Sequence, residues 1–220
     1  QLFERHARGL VLTENGEYLF KSAHEVITKL KDVESNLIGH KDNLLMPEFS
    51  LDGGEEPEVV GCYFIDNDGN PVRIGFSLGN EFSDHETEKI NYLYLAHSKL
   101  RNCSVGPSLN TSLEFSDISI NCNISRDGID LYRSGELKSG EEFMSHSLNN
   151  MEYHHFKYDL HRKPGDLHLH FFGTSQLSFS TRDWKFKQGD KISIYSDQFD
   201  GKLENNIEQL DEIKFEIKEV

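Results

Sequence analysis

Cysteine is scarce in this 220-residue chain: Cys62, Cys103 and Cys122 form no CxxC pair. That argues against a disulfide framework or a thiolate zinc cluster and points to reduced thiols in a cytoplasmic protein. No uninterrupted apolar run approaches the roughly 20 residues that span a bilayer, so a membrane-spanning helix is excluded and no membrane partner is expected. A basic n-region followed by an apolar h-region is also lacking, as is an initiator Met. The chain begins at Gln1 and reads as a fragment or a processed product. Positive charge is short as well, with 23 Lys+Arg against 38 Asp+Glu and a net charge of −15. Such a balance is poor for a protein that must neutralise nucleic-acid phosphates.

Two styles of sequence follow one another. Residues 1–40 carry a net −1, so nearly all the acidity lies beyond them. Thr13 suits a helix N-cap, because its hydroxyl can accept an orphan backbone N–H. After it, Leu19, Ala23, Val26, Leu30, Val33 and Leu37 recur at alternating steps of four and three. That is a heptad seam on a long N-terminal helix, which either packs on the rest of the chain or pairs two copies. Gly39-His40-Lys41-Asp42-Asn43 reads as a helix stop and linker, dividing the chain at 1–43 and 44–220.

Beyond the linker the pattern is mainly β. Residues 58–65 and 72–78 flank Asp66-Asn67-Asp68-Gly69 as a hairpin; residues 118–125 and 129–132 flank Arg126-Asp127-Gly128 as another. Strands are expected at 167–172, 191–195 and 213–218, a helix at 141–157, and a short helix or loop at 86–100. The fold class is therefore mainly β with some α, an α+β domain.

Two groups of residues could carry chemistry. Glu56 and Glu58 flank Pro57 at the start of a strand, where side chains two apart share a face. The hairpin brings the end of the second strand, with Gly79-Asn80-Glu81, back to the same place. Three carboxylates so gathered suit Mg²⁺, which takes hard oxygen ligands. In a chain with 38 acids, a solvated acidic surface is the plainer reading. The second group is histidine: His146, His154, His155, His161, His168 and His170 lie close together in sequence. No HExxH or cysteine pattern accompanies them, so packing and hydrogen bonding near a cleft is the first reading and metal ligation the second.

Several blocks resemble the fumarylacetoacetate hydrolase superfamily: Glu56-Pro57-Glu58, Gly79-Asn80-Glu81-Phe82-Ser83, Ser98-Lys99, Gly106-Pro107 and Phe172-Gly173-Thr174. Leu51 to Glu58, Leu95 to Arg101, His154 to Tyr158 and His168 to Thr174 are similar to its GguC-like, 2-keto-3-deoxy-L-arabinonate dehydratase-like branch, over about residues 47–206. The resemblance implies a rolled β core with Mg²⁺ (or Mn²⁺) held by Glu56, Glu58 and Glu81, the last standing where most of the superfamily has Asp. It implies Lys99 as the active-site lysine, with Gly173, Thr174, Ser83 and His85 around the substrate. His85 stands where many relatives carry an arginine, which departs from the usual carboxylate clamp. The activity implied is hydro-lyase action on a small 2-oxo sugar acid, in a homodimer. Hydrolysis of an acylpyruvate-type C–C bond and a non-catalytic metal- or sugar-acid-binding module stay open.

The front end resembles another family. Leu2-Phe3-Glu4-Arg5, Arg8-Gly9-Leu10 and Leu12 to Glu17 look like the wing and linker helix of LysR-type transcriptional regulators, over residues 1–38. The recognition helix that would enter the major groove is not among them, so DNA binding by this chain alone is not expected. A truncated regulator is the remaining alternative. The family normally has a sizeable segment before its Glu-x-Glu motif, and here the regulator-like stretch stands in that place; an impaired site is one expectation from this.

Overall fold

A computed structural model describes residues 43–212 and 214–218, together with 3–6, 9–14, 16–17 and 20–21. The heptad positions, and with them the long N-terminal helix, lie outside the described residues. Near the start, β1 (Phe3–His6) and β2 (Gly9–Leu12) pair antiparallel. Thr13 then caps a helical turn, its Oγ1 accepting the N–H of Gly16 at 3.1 Å.

The rest is built on two sheets. A four-stranded antiparallel sheet runs in the order β6 (Lys99–Val105), β5 (Pro71–Ser83), β4 (Pro57–Ile65), β9 (Leu167–Phe171). A five-stranded sheet runs β3 (Leu44–Met46), β11 (Lys202–Gln209), β10 (Lys191–Tyr195), β7 (Ile118–Arg126), β8 (Ile129–Ser139). Its β3–β11 pairing is parallel and its others antiparallel. Among the described residues the fold is mostly β, and no helix is long and apolar enough to cross a membrane.

The sheets face each other across one core. Val59, Phe76, Leu78 and Phe82 from the first meet Ile118, Ile120, Ile124, Ile192, Ile194, Leu203 and Ile207 from the second. Burying each such side chain contributes about 1.5–3 kcal/mol. At one margin the sheets are joined by side chains: Asn102 on β6 donates Nδ2 to the carbonyl of Leu45 on β3 at 2.7 Å, and Ser104 donates Oγ to Asn205 on β11 at 2.6 Å. All nine residues of β4 are buried, as expected of a central strand covered on both faces.

The structure departs from the sequence expectations at several places. The expected strand at 213–218 is not formed: residues 214–218 carry no regular structure. The chain closes its sheet earlier, with β11, whose inward Leu203, Asn205 and Ile207 alternate with polar residues. The expected helix at 141–157 is broken. Gly140, with φ of 99°, leads into a single 3-10 turn at Glu141–Phe143. The α-helix proper, α3 (Leu148–Phe156), starts only where Ser147 caps it, its Oγ accepting the N–H of Asn150. Between β5 and β6 the chain forms α1 (His85–Ile90) and α2 (Leu95–Ser98). Asp84 caps α1, accepting from the N–H and hydroxyl of Thr87 and from the N–H of Leu51. Finally, β5 runs on to Ser83, five residues beyond the expected end, and that extension carries Asn80 and Glu81 into the site.

Candidate metal centre

The hairpin register gathers the acids. Glu58 on β4 pairs with Gly79 on β5, and the N–H of Glu81 donates to the carbonyl of Glu56 at 3.3 Å. One carboxylate oxygen from each of Glu56, Glu58 and Glu81 lies within 4.8 Å of the others. Glu56 is held at its backbone by Asn80, whose Oδ1 accepts the Glu56 N–H at 3.0 Å, a contact that sequence reasoning did not identify. Glu58 is 1% exposed, and its Oε2 accepts the N–H of Gly173 at 2.7 Å. Glu58, Val60 and Cys62 share one face of β4, and Val59, Gly61 and Tyr63 the other. Val59 belongs to the core between the sheets, so the carboxylates stand on the face turned away from it.

Lys99 opens β6 opposite Ser83, after a bulge in the ladder. Its Nζ donates to Glu56 at 2.8 and 3.0 Å and lies 2.8 Å from Oε2 of Glu81. Burial opposes its charge, but the hydrogen bonds to Glu56 and Glu81 outweigh that and raise its pKa. His85, buried at the start of α1, brings Nε2 to 3.2 Å from Oε1 of Glu56, and its ring rests against Phe179. Ser83 is fully buried and donates Oγ to the carbonyl of Glu81. Burial resists ionisation of Glu56, yet hydrogen bonds from His85 and Lys99 prevail and bring its pKa to about 2. Glu58 goes the other way. Burial, with repulsion from Glu56 and Glu81, raises it to about 8 against the help of the Gly173 N–H.

Gly173 and Thr174 follow β9 and line a hollow of about 180 Å³ with Lys138, Phe143 and Met144. Thr174 donates Oγ1 to the carbonyl of Gln176 at 3.2 Å. A larger cleft, about 800 Å³, lies elsewhere beside Arg73, Phe76, Phe115 and Leu148 and touches none of the three carboxylates. The chemistry-bearing groups decide the site here, not cavity size.

Two buried clasps that sequence reasoning missed fix the approach to β4. Glu55 accepts the N–H and hydroxyl of Ser178 at 2.6 and 2.7 Å. Asp52 accepts from Nη2 of Arg182 at 2.9 Å and from the N–H groups of Gly53 and Phe186. Both partners are more than a hundred positions away, so no local pattern announces them.

Three hard oxygen donors fit Mg²⁺ or Mn²⁺. One of them, Glu58, is pushed towards its neutral form by burial and then by the other two carboxylates, a repulsion that a divalent cation relieves.

No family model matches the chain, and no curated protein does. Solved structures do match. A hexagonal crystal form of 2-keto-3-deoxyarabinonate dehydratase aligns with a TM-score of 0.66 at 20% identity, over 80% of this chain and 58% of that one. A 2-keto-3-deoxy-D-arabinonate dehydratase complexed with magnesium and 2,5-dioxopentanoate aligns with a TM-score of 0.64 at 21% identity, over 79% and 59%. A 5-carboxymethyl-2-hydroxymuconate delta-isomerase from Mycobacterium smegmatis aligns with a TM-score of 0.55 at 17% identity, over 80% and 67%. The fold is thus fumarylacetoacetate hydrolase-like. The chain spans under three fifths of the length of the two dehydratases.

Proposed function

We propose that this chain carries the catalytic centre of a Mg²⁺-dependent hydro-lyase acting on a 2-keto-3-deoxy sugar acid such as 2-keto-3-deoxy-L-arabinonate. The observation that carries the reading is the convergence of Glu56, Glu58 and Glu81 beside Lys99. The likeness in fold to a dehydratase complexed with magnesium and 2,5-dioxopentanoate supports it.

In this reading Glu56, Glu58 and Glu81 hold the cation, which when bound supplies Lewis acidity to the keto and carboxylate oxygens of a 2-oxo acid. Dehydration takes a proton from C3 and the hydroxyl from C4 as water; the C3–C4 alkene so formed then loses a proton from C5 and gains one at C3, which gives the 2,5-dioxo acid in its enol form. Lys99 is kept as the ammonium by its carboxylate partners, so it serves as a donor rather than as the base. It hydrogen-bonds the enolate oxygen as charge develops there and returns a proton to the product. His85 acts on the carboxylate of Glu56, and Ser83 on the backbone carbonyl of Glu81, fixing the strand end that carries that acid. Thr174, at the end of β9, takes a polar group of the substrate, and Gly173 fixes Glu58 through its N–H. A homodimer belongs to the same reading, and sedimentation measures it.

The test is calorimetric titration of Mg²⁺ and Mn²⁺ into the protein and its Glu58→Gln variant, with an assay for 2,5-dioxopentanoate. Binding lost in the variant, with product formed only by the parent, supports the reading. Binding without turnover of sugar acids or acylpyruvates reduces it to a metal-binding module. No binding, or binding unchanged by the substitution, sinks it.

A further inference from the structure

A second group of metal-ligating side chains lies on the opposite face of the same sheet. On β9, His168 pairs with Tyr63 and His170 with Gly61, so both imidazoles share the face of β4 that carries Tyr63. Over that face lies α3. It is docked by Phe156, whose ring is 5.4 Å from Tyr63, and by Glu152, which accepts from the Tyr63 hydroxyl at 2.8 Å and from Arg73 at 2.6 Å. The docking sets His155 directly against the strand. Nε2 of His155 is 3.1 Å from Nδ1 of His168, and the rings of His155 and His170 meet edge to face at 4.4 Å. One nitrogen from each of His155, His168 and His170 lies within 4.8 Å of the others.

Packing alone accounts poorly for this arrangement. Nε2 of His170 is buried and has no hydrogen-bond partner among the described residues, a costly state for a polar nitrogen. Three imidazoles are crowded there, with a fourth from His161 stacked 4.2 Å from His155. His161 also donates Nδ1 to the carbonyl of His155 at 2.9 Å, tying the turn after α3 to the helix end. We propose that His155, His168 and His170 form a site for a borderline divalent cation of the Zn²⁺ type, separate from the carboxylate centre.

The donor chemistry chooses the ion. Neutral imidazoles suit Zn²⁺, Co²⁺, Ni²⁺ and Cu²⁺, whereas Mg²⁺ takes oxygen. The 3.1 Å separation of the His155 and His168 nitrogens is close to what two ligands on one tetrahedral ion require, with Zn–N near 2.0–2.1 Å. Three protein ligands leave one position for water. An ion here joins α3 to β9, and β9 leads directly into Gly173, the residue that holds Glu58. The site is therefore a clamp on the strand that positions one wall of the carboxylate centre.

The experiment is titration of Zn²⁺, and of Co²⁺ for its visible bands, into chelator-stripped protein with saturating Mg²⁺ present. The expected result is one tight ion per chain, a raised Tm, and Co²⁺ bands of a tetrahedral nitrogen site. Glu58→Gln should keep this binding, as should His146→Gln and His154→Gln, which alter exposed histidines. His168→Gln should weaken it by at least about tenfold. Should the His168 variant fail to fold, ¹⁵N spectra of the histidine rings in the unaltered protein decide the matter. Zn²⁺ must shift His155, His168 and His170 and spare the exposed histidines. Absence of binding, binding that survives His168→Gln, binding that Glu58→Gln abolishes, or shifts confined to other histidines would each overturn the proposal.

Discussion

The backbone N–H of Gly173 donates to Oε2 of Glu58 over 2.7 Å, across 115 positions of sequence. Gly173 has φ of 86°, a left-handed conformation that costs glycine little. The turn can therefore direct its N–H at the carboxylate where β9 ends beside β4. This one contact couples the strand that carries the histidines to the face that carries the acids.

Because Glu58 is raised to about 8, the metal-free native protein holds a proton there that the unfolded chain, with an ordinary carboxyl near 4.5, has lost. Stability contributed by this group is thus present below about pH 4.5 and falls as pH rises towards 8. Glu56, lowered to about 2, acts with the opposite sign: its contribution is present above pH 4.5 and is lost as pH falls towards 2. Denaturant melts in EDTA across this range should show the neutral-side decline, and Glu58→Gln should flatten it. Saturating Mg²⁺ should flatten it too. A decline unaltered by both would contradict the assignment.

Lys99→Met removes the ammonium between Glu56 and Glu81 and leaves the three carboxylates in place. The expected outcome is a fall in kcat of about 10²–10⁴-fold, while calorimetry still detects Mg²⁺. Equal loss of metal affinity and turnover would show that Lys99 only holds the carboxylates.

A methyl group on Gly54 would come within 2.1 Å of Nδ1 of His85 and 3.1 Å of the carbonyl of Ser83. Gly54→Ala should therefore cost about 1–3 kcal/mol of stability and displace His85 from Glu56, lowering activity. Combined with His85→Ala, which vacates the space, its cost should be markedly less than additive. Strict additivity would show that the two residues do not meet.

Arg182 and Asp52 form an ion pair in which each side chain is only 2% exposed. The guanidinium also donates to the carbonyl of Gly53 at 2.7 Å and rests on the rings of Trp184 and Phe186. Arg182→Met strands a buried carboxylate and should cost about 3–5 kcal/mol in chemical denaturation. Adding Asp52→Asn should recover part of that loss. A cost below about 1 kcal/mol would mean that the pair is screened by water.

Local chemistry made much of the centre legible. Asp66 to Gly69 is turn chemistry between two apolar runs, so the β4–β5 hairpin could be read directly. Strand alternation then put Glu56 and Glu58 together, and the antiparallel return brought Glu81 beside them. These relations depend on a period of two and a short turn, both of which are properties of neighbouring residues. β11 escaped because Lys202–Gln209 has only two apolar side chains facing inward, and its third inward residue, Asn205, is buried through a bond from Ser104. The helix expected at 141–157 broke because Gly140 and Ser147 reset the backbone within it.

By itself, then, the sequence determined the hairpin and that Glu56 and Glu58 share a face; its plainer reading of these acids as a solvated surface is overturned, since Glu58 is buried. Only the tertiary structure decided that Gly173 holds Glu58, that Arg182 secures Asp52, and that His155 meets His168 and His170. Those pairings join segments that are distant in sequence, and they are set by how a helix and two sheets pack rather than by any local spacing.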